Sequence, residues 1–272
     1  MPEHLNNAVV VITGASSGIG AATARAAAED GWNLVLAARS ADKLETLVRE
    51  IGEDRACAVA CDVTDFEDQQ RMVDAAVERF GRLDVLVNNA GVASGGFFDE
   101  LSLEDWDWQI AINLMGVVKG CKAFLPLVQK SKGKIINIAS MAALMQAPGM
   151  SNYNVAKAGV VALSESLMVE LRQAEVGVHV VCPSFFQTNL LDSFRGPTPN
   201  VKAQIGKLLE SSPITAADIA DYIHQQVAKG EFMILPHEEG RMAWKVKQQN
   251  PQAIYDEMAL LAEKKRAKSK AV

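Results

Sequence analysis

The feature that most constrains this chain is its first strong turn. The apolar run Val9–Thr13 leads directly into Thr13-Gly14-Ala15-Ser16-Ser17-Gly18-Ile19-Gly20, and an Ala-rich helical pattern, Gly18 to Asp30, follows without a break. Each glycine has a physical job. Gly14 permits a tight turn, Gly18 lets backbone approach a diphosphate, and Gly20 allows a helix to pack closely on a strand. The positive end of such a helix then faces the anion. As a plain tight turn the pattern is common. Coinciding with a strand end and a helix start, it points to a dinucleotide site built from Gly14, Ser16, Ser17, Gly18, Ile19 and Gly20.

The rest of the chain repeats that strand–helix alternation. Short apolar runs occur at Val9–Thr13, Asn33–Ala38, Arg55–Ala60, Val85–Val87, Lys134–Ile138, Val178–Val181 and Phe232–Leu235. Helical patterns lie between them at Asp42–Ile51, Phe66–Phe80, Leu103–Gln129, Asn152–Glu175 and Thr215–Ala228, the last opened by a Thr215/Asp218 capping box. Strands that are apolar throughout suit a sheet covered on both faces, and alternation with helices makes that sheet parallel. The expectation is an α/β, doubly wound Rossmann-type fold of about seven strands. It forms a single domain over residues 1–236, with residues 237–272 as a helical C-terminal extension.

Composition excludes more than it selects. A hydrophobic content of 49% and a charged content of 22% are ordinary for a globular chain. A net charge of −6 and a pI of about 5.3 argue against nucleic acid as a partner. The basic run Lys264-Lys265-Arg266, with Lys268 and Lys270, reads as a solvated tail. Met1-Pro2-Glu3-His4 lacks the features of a signal peptide, and Val9–Thr13 is too short to cross a membrane. Cys57, Cys61, Cys121 and Cys182 have no CxxC spacing and no nearby histidine, so reduced thiols of a cytoplasmic protein are expected rather than a disulfide or metal site. Cys57 and Cys61 fall on one side of a short strand, as packing residues do.

The end of the second strand reads Ala37-Ala38-Arg39-Ser40. A carboxylate here binds the ribose 2′-OH of NAD, whereas an arginine accommodates the 2′-phosphate of NADP. With no acid and a guanidinium at Arg39, helped by hydroxyls of Ser40 and Ser16, NADP(H) is favoured over NAD(H). The alternative is a surface arginine paired with carboxylates of the first helix.

Ser140, Tyr153 and Lys157, with Asn113 upstream, form the second constellation. Tyr153 and Lys157 are four apart, so a helix projects both from one face. Ser140 sits just past a strand, at the carboxyl edge where open α/β sheets bind ligands. Hydride addition to a carbonyl leaves negative charge on oxygen, which a hydroxyl donor stabilises and a proton must complete. A phenol with a reference pKa near ~10 needs a nearby ammonium to favour phenolate. Tyr153 is thus the candidate acid/base, Lys157 its tuning cation, and Ser140 the group that orients the carbonyl.

The GxxxGxG spacing, Asn88-Asn89-Ala90-Gly91 after the fourth strand, and the ordered Asn113, Ser140, Tyr153 and Lys157 together resemble the short-chain dehydrogenase/reductase family, over roughly residues 8 to 235. The resemblance implies an oxidoreductase acting on a small-molecule ketone or alcohol. It implies that Asn113 positions a water linking Lys157 to solvent, that Asp62-Val63 lies beside adenine, and that Asn89, Ala90 and Gly91 border the cofactor. Tyr153 and Lys157 also contact it, and Pro183 with Thr188 resembles the segment that meets the nicotinamide carboxamide. Here Ser184 replaces the family's glycine. Family members pair long helices, here Leu103–Gln129 and Asn152–Glu175, into a homodimer or homotetramer.

Loops Val92–Phe98, Met141–Met150 and Phe185–Leu209 should shape the substrate pocket. Phe185-Phe186, Leu190-Leu191, Met141, Leu144, Met145 and Met150 suit a bulky hydrophobic substrate. Family members commonly end soon after the last strand, whereas this chain carries more than thirty further residues, with helical character at Ala243–Val246 and Ile254–Ala262. A tail with Trp244 and Tyr255 as anchors can cap the cleft or meet another subunit. The competing reading is a non-catalytic dinucleotide-sensing protein on the same fold.

Overall fold

A computed structural model of the chain describes residues 7–270 apart from 189, 198–201, 203–205 and 208; the N-terminal Met1–His4 pattern and part of the anticipated Phe185–Leu209 loop lie outside the described residues. The strands are β1 (Val9–Thr13), β2 (Asn33–Ala38), β3 (Ala56–Ala60), β4 (Val85–Asn88), β5 (Lys134–Ile138), β6 (Gly177–Val181) and β7 (Met233–Ile234). They form one seven-stranded sheet in the order β3-β2-β1-β4-β5-β6-β7, parallel at every pairing. The order reverses between β1 and β4, which opens a crevice at the carboxyl ends of those strands.

The helices are α1 (Gly18–Glu29), α2 (Ala41–Ile51), α3 (Phe66–Phe80), α4 (Leu103–Ile110), α5 (Gly116–Ser131), α6 (Ala142–Met145), α7 (Ser151–Glu170), α8 (Ala216–Ala228), α9 (Glu238–Gln249) and α10 (Pro251–Lys270). Alternate residues of β1 explain why its run is apolar on both sides. Val10 and Ile12 pack with Ile19, Ala24, Leu44 and Ile219 on one face, while Val9 and Val11 pack with Met72, Phe124 and Val160 on the other. The sheet is therefore buried between α1, α2 and α8 on one side and α3, α5 and α7 on the other.

Local signals account for the ends. Asp65 caps α3 by accepting from the Glu67 amide at 2.9 Å, and Gly81 closes that helix with φ +73°. Thr215 and Asp218 form the expected capping box. The anticipated helix Leu103–Gln129 is continuous but carries a π-type turn, Ala111–Met115, between α4 and α5. By length and composition Leu103–Ser131 is apolar enough to cross a membrane. Its buried residues, among them Gln109, Val117, Phe124 and Val128, instead lie within the folded body. Cys61 lies just beyond β3 and is buried, and Cys57 within it is half-buried.

A polar chain ties the sheet centre to α7. Asn88 donates to Asn137 at 2.9 Å, Asn137 donates to Ser164 at 3.0 Å, and Ser164 donates to the Val160 carbonyl at 2.7 Å. All three side chains are buried, so the rotation of α7 about its axis is tied to β4 and β5.

The extension is longer and better anchored than its sequence suggests. Asn250-Pro251 turns the chain, with proline at the first position of α10, where its missing N–H costs nothing. The Lys247 ammonium donates to the Leu144 carbonyl and to Gln146. Lys265 donates to the Pro148 carbonyl at 3.0 Å. Arg266 pairs with Asp99 at 2.6 Å and lies 4.1 Å from the Phe97 ring centroid. Lys265 and Arg266 thus dock on the domain rather than belonging to a solvated tail.

One strand residue predicts a pH effect. His179 in β6 is buried; its Nδ1–H donates to the Glu231 carbonyl at 2.7 Å, and Nε2 has no partner among the described residues. Burial pushes its pKa down to about 4, with the Glu231 carbonyl opposing and Lys134 assisting. In the unfolded chain the group titrates near ~6.5. Its contribution is full above that value and is lost as pH falls towards the folded pKa, a span of about 3 kcal/mol. Denaturant melts from pH 7 to pH 4 should show this loss, and His179→Leu should flatten it. An unchanged pH slope in the variant rejects the assignment.

Candidate active site

The crevice between β1 and β4 opens into a cleft of about 490 Å³. At one end lies the glycine turn. Gly14 and Gly18 have φ of +65° and +55°, the left-handed region that glycine enters without strain. A Cβ on Gly20 would stand 2.5 Å from the Gly14 carbonyl oxygen, so only glycine lets α1 start this close to the turn.

The N-terminus of α1 carries no side-chain cap and no acidic residue in its first turn. By contrast α3, α4 and α8 each have a side-chain cap and acids there. Ser16, Ser17, Gly18 and Ile19 line the cleft at this open end. First-turn amides without an internal acceptor, beside a loop of small residues that opens and closes on Gly14 and Gly18, fit a dinucleotide diphosphate.

Thr13 and Asn89 hold the turn from behind. The Thr13 hydroxyl accepts from the amides of Asn89 at 3.0 Å and Ala90 at 3.1 Å, and Asn89 Nδ2 donates to the Thr13 carbonyl at 2.9 Å. Asn89, Ala90 and Gly91 therefore face the cleft as a rigid segment. Arg39 and Ser40 are exposed at its rim, and among the described residues Arg39 makes no ion pair with a carboxylate of α1, whose Arg25 pairs with Glu50 of α2 at 2.6 Å. Lys43, one turn further on in α2, also lines the cleft. Its signal was available as a cation four residues after Arg39, but the strand-end rule stops at Arg39.

Asp62 and Val63 form the adjoining wall. Asp62 accepts from the Thr64 amide at 2.9 Å and hydroxyl at 2.8 Å. Partial burial works against its charge, but the Thr64 bonds, with Arg39 and Lys119, hold the carboxyl below its ordinary value.

At the other end of the cleft Ser140, Tyr153 and Lys157 converge. Ser140 follows β5, and its Oγ accepts from the Ala142 amide at 3.1 Å. The Tyr153 phenol is hydrogen-bonded to Ser140. Burial raises the pKa of Tyr153, the Ser140 bond opposes, and Cys182 adds to the rise, so the phenol stays protonated at neutral pH. Lys157 is buried one turn along α7, donates to the Ile138 carbonyl at 2.8 Å, and has Nζ 5.9 Å from the Tyr153 ring centroid. Burial pushes its pKa down to about 8.

Asn113 is fully buried in the π-type turn, a distortion that often marks functional positions. Its Oδ1 accepts from the Val92 amide and its Nδ2 donates to the Val92 carbonyl, both at 2.8 Å. A Cβ on Gly91 would meet Asn113 Oδ1 at 3.0 Å and Lys157 Nζ at 3.5 Å, which places the three side by side.

Pro183 and Thr188 also line the cleft, and Thr188 Oγ1 is 3.2 Å from where a Gly18 Cβ would stand. An apolar wall of the cleft is formed by Met141, Met145, Met150, Phe185, Phe186 and Leu209. Glu239, Gly240 and Ala243 of α9 complete that wall, residues the sequence motifs did not single out.

Residues 8–197 match the model of the short chain dehydrogenase family. Over 193 residues the chain is 42% identical to Oxidoreductase UcpA of Salmonella typhimurium, covering 70% of this chain and 73% of the relative. It is 39% identical over 189 residues to a 3-oxoacyl-[acyl-carrier-protein] reductase of Synechocystis, covering 68% of this chain and 76% of that protein. A crystal structure of a short chain dehydrogenase/reductase from Burkholderia phymatum in complex with NAD superposes with a TM-score of 0.87 at 33% identity, covering 92% of this chain and 96% of the other.

Proposed function

The chain belongs to the short-chain dehydrogenase family of oxidoreductases, and from that premise we propose that it is an NADP(H)-dependent enzyme interconverting a bulky hydrophobic ketone and its secondary alcohol. What carries the reading is the meeting of Ser140, Tyr153 and buried Lys157 in the same cleft that holds the uncapped end of α1.

When bound, the reduced nicotinamide supplies the hydride. Ser140 orients the carbonyl oxygen and stabilises the charge that develops on it. Tyr153, protonated in its buried setting, gives its proton to that oxygen. Lys157, still largely charged at neutral pH, favours the phenolate left behind and would hold the nicotinamide ribose. Asn113 holds the segment beside Lys157 and positions a water through which the proton is restored. The diphosphate end would be held by Gly14, Ser16, Ser17, Gly18, Ile19 and Gly20, adenine by Asp62 and Val63, and the nicotinamide end by Asn89, Ala90, Gly91, Pro183 and Thr188.

The similar Burkholderia structure holds NAD, so the cofactor preference proposed here rests on this chain's own rim. Arg39, Ser40 and Lys43 place two cations and a hydroxyl at the rim, where the second strand ends without a carboxylate. Arg39→Ala should weaken NADPH binding about ten- to hundredfold, the equivalent of one or two charge-assisted hydrogen bonds, and leave NADH within about threefold. Fluorescence titration with both cofactors checks this; equal losses reject the phosphate role.

Turnover against a panel of hydrophobic ketones tests the enzyme itself, and dinucleotide binding with no turnover favours a sensing role instead. The apolar wall of Met145, Met150, Phe185 and Phe186 supports the substrate class. Exposed Leu103, Val155, Met168 and Val169 on α4 and α7 support pairing into a dimer or tetramer. Four unpaired cysteine thiols fit a reducing, cytoplasmic setting.

A further inference from the structure

We propose that His237 is a positioning residue: from the C-terminal extension, its ring clamps the Pro183–Phe186 loop in the shape that borders the cleft. His237 is the N-cap residue of α9 and is 1% exposed, yet its side chain makes no capping bond to that helix. The side chain turns instead to the loop after β6. Ser184 N–H donates to Nδ1 at 3.1 Å, and Nε2 lies 3.1 Å from the Phe185 carbonyl oxygen.

An amide N–H only donates and a carbonyl only accepts, so this pair of contacts selects one form of the ring. It is neutral, with its hydrogen on Nε2. Both ring nitrogens are spent on successive residues of one loop.

The position of the clamp explains its need. The last ladder contact between β6 and β7 is the Cys182 amide to the Ile234 carbonyl, at 2.9 Å. Beyond it the two strand ends leave the sheet, and the backbone groups of Ser184 and Phe185 have lost their strand partner. His237 continues the pairing with a side chain.

What the loop touches gives the clamp its consequence. Pro183, Ser184, Phe185 and Phe186 line the cleft, and the Pro183 carbonyl accepts from the Met141 amide at 2.8 Å, next to Ser140. The extension that carries His237 is itself seated on this side, with Lys247 bonded to Leu144 and Gln146. The loop, the Ser140 turn and α9 are thereby coupled, and the C-terminal extension sets the geometry of the cleft's inner end. The effect on ligand rests on the reading of the cleft as a dinucleotide site; the clamp itself does not.

The test compares full-length wild type, His237→Phe and His237→Gln. Phenylalanine keeps the ring's volume without either nitrogen, whereas glutamine can accept from Ser184 and donate to Phe185. Hydrogen exchange at the Ser184 amide and NADPH affinity by fluorescence titration are the readouts, with exchange in β1 and β4 as the check of folding. In His237→Phe, Ser184 exchange should rise and NADPH affinity should fall, each by about tenfold, with His237→Gln within about threefold of wild type in both.

Ser184 exchange unchanged in His237→Phe overturns the clamp. Faster exchange with undiminished affinity overturns its positioning role, and a glutamine variant no better than phenylalanine overturns the two-bond account. If His237→Phe fails to fold, the same comparison between wild type and His237→Gln against His237→Ala decides. Wild-type protein that binds neither NADPH nor NADH overturns the proposed function instead, and Ser184 exchange then decides the clamp alone.

Discussion

Tyr153→Phe should retain the fold and NADPH binding while turnover falls by about 10²–10⁴-fold, the usual contribution of a positioned proton donor. The ring is 8% exposed and its packing is unchanged by the loss of one oxygen. Only the phenol that meets Ser140 disappears. Burial, opposed by the Ser140 bond and assisted by Cys182, holds that phenol protonated above its ordinary range. Ketone reduction should therefore hold its rate across neutral pH, whereas alcohol oxidation, which needs the phenolate, should rise as the solution becomes alkaline. Steady-state rates in both directions, with a binding titration beside them, check the prediction. Turnover within about threefold of wild type would remove Tyr153 from the chemistry, since even a modest general acid contributes more than that.

Lys157→Met should lower turnover by about 10²–10³-fold, comparable to deleting one electrostatic stabiliser of a transition state. Methionine keeps most of the buried stem and removes the ammonium. Stability is set by two opposing effects. The variant leaves the Ile138 carbonyl without its 2.8 Å partner, at a cost of about 1–3 kcal/mol. It also removes a buried charge whose pKa is pushed down to about 8, worth about 3 kcal/mol of relief.

The two nearly cancel at neutral pH, so the melting temperature should move little while activity collapses. Their pH dependence separates them. Lysine in the unfolded chain stays charged up to about 10.4, so wild type gains stability relative to the variant as pH rises from the folded value towards that one. Melts at pH 7 and pH 10 should show the gap changing in favour of wild type. A constant gap would place the ammonium in solvent rather than in the core.

Much of this was legible because it is local. β1, β2 and β5 fall where the apolar runs lie, since a strand buried on both faces must be apolar at every position. The Thr215–Asp218 box and the Gly14-to-Gly20 turn carry their geometry in neighbouring residues. Tyr153 and Lys157 share a helix, so their spacing alone sets their common face. Boundaries shifted where local preference is weak: the expected Asn152–Glu175 helix breaks after Glu170, and the π-type turn at Ala111–Met115 left no mark on the apolar periodicity.

By itself, then, the sequence determined the strand–helix alternation, the glycine turn and the order of Asn113, Ser140, Tyr153 and Lys157. Each follows from the backbone and side-chain preferences of adjacent residues. Only the tertiary structure decided that Ser140 meets Tyr153, that Lys43 joins Arg39 at the rim, and that α9 walls the cleft. It alone brought Lys247 to Leu144 and His237 to Ser184 and Phe185. Those partners lie far apart along the chain. They meet because helices must pack where the sheet leaves apolar surface and unpaired backbone groups, a condition that no single stretch of residues records.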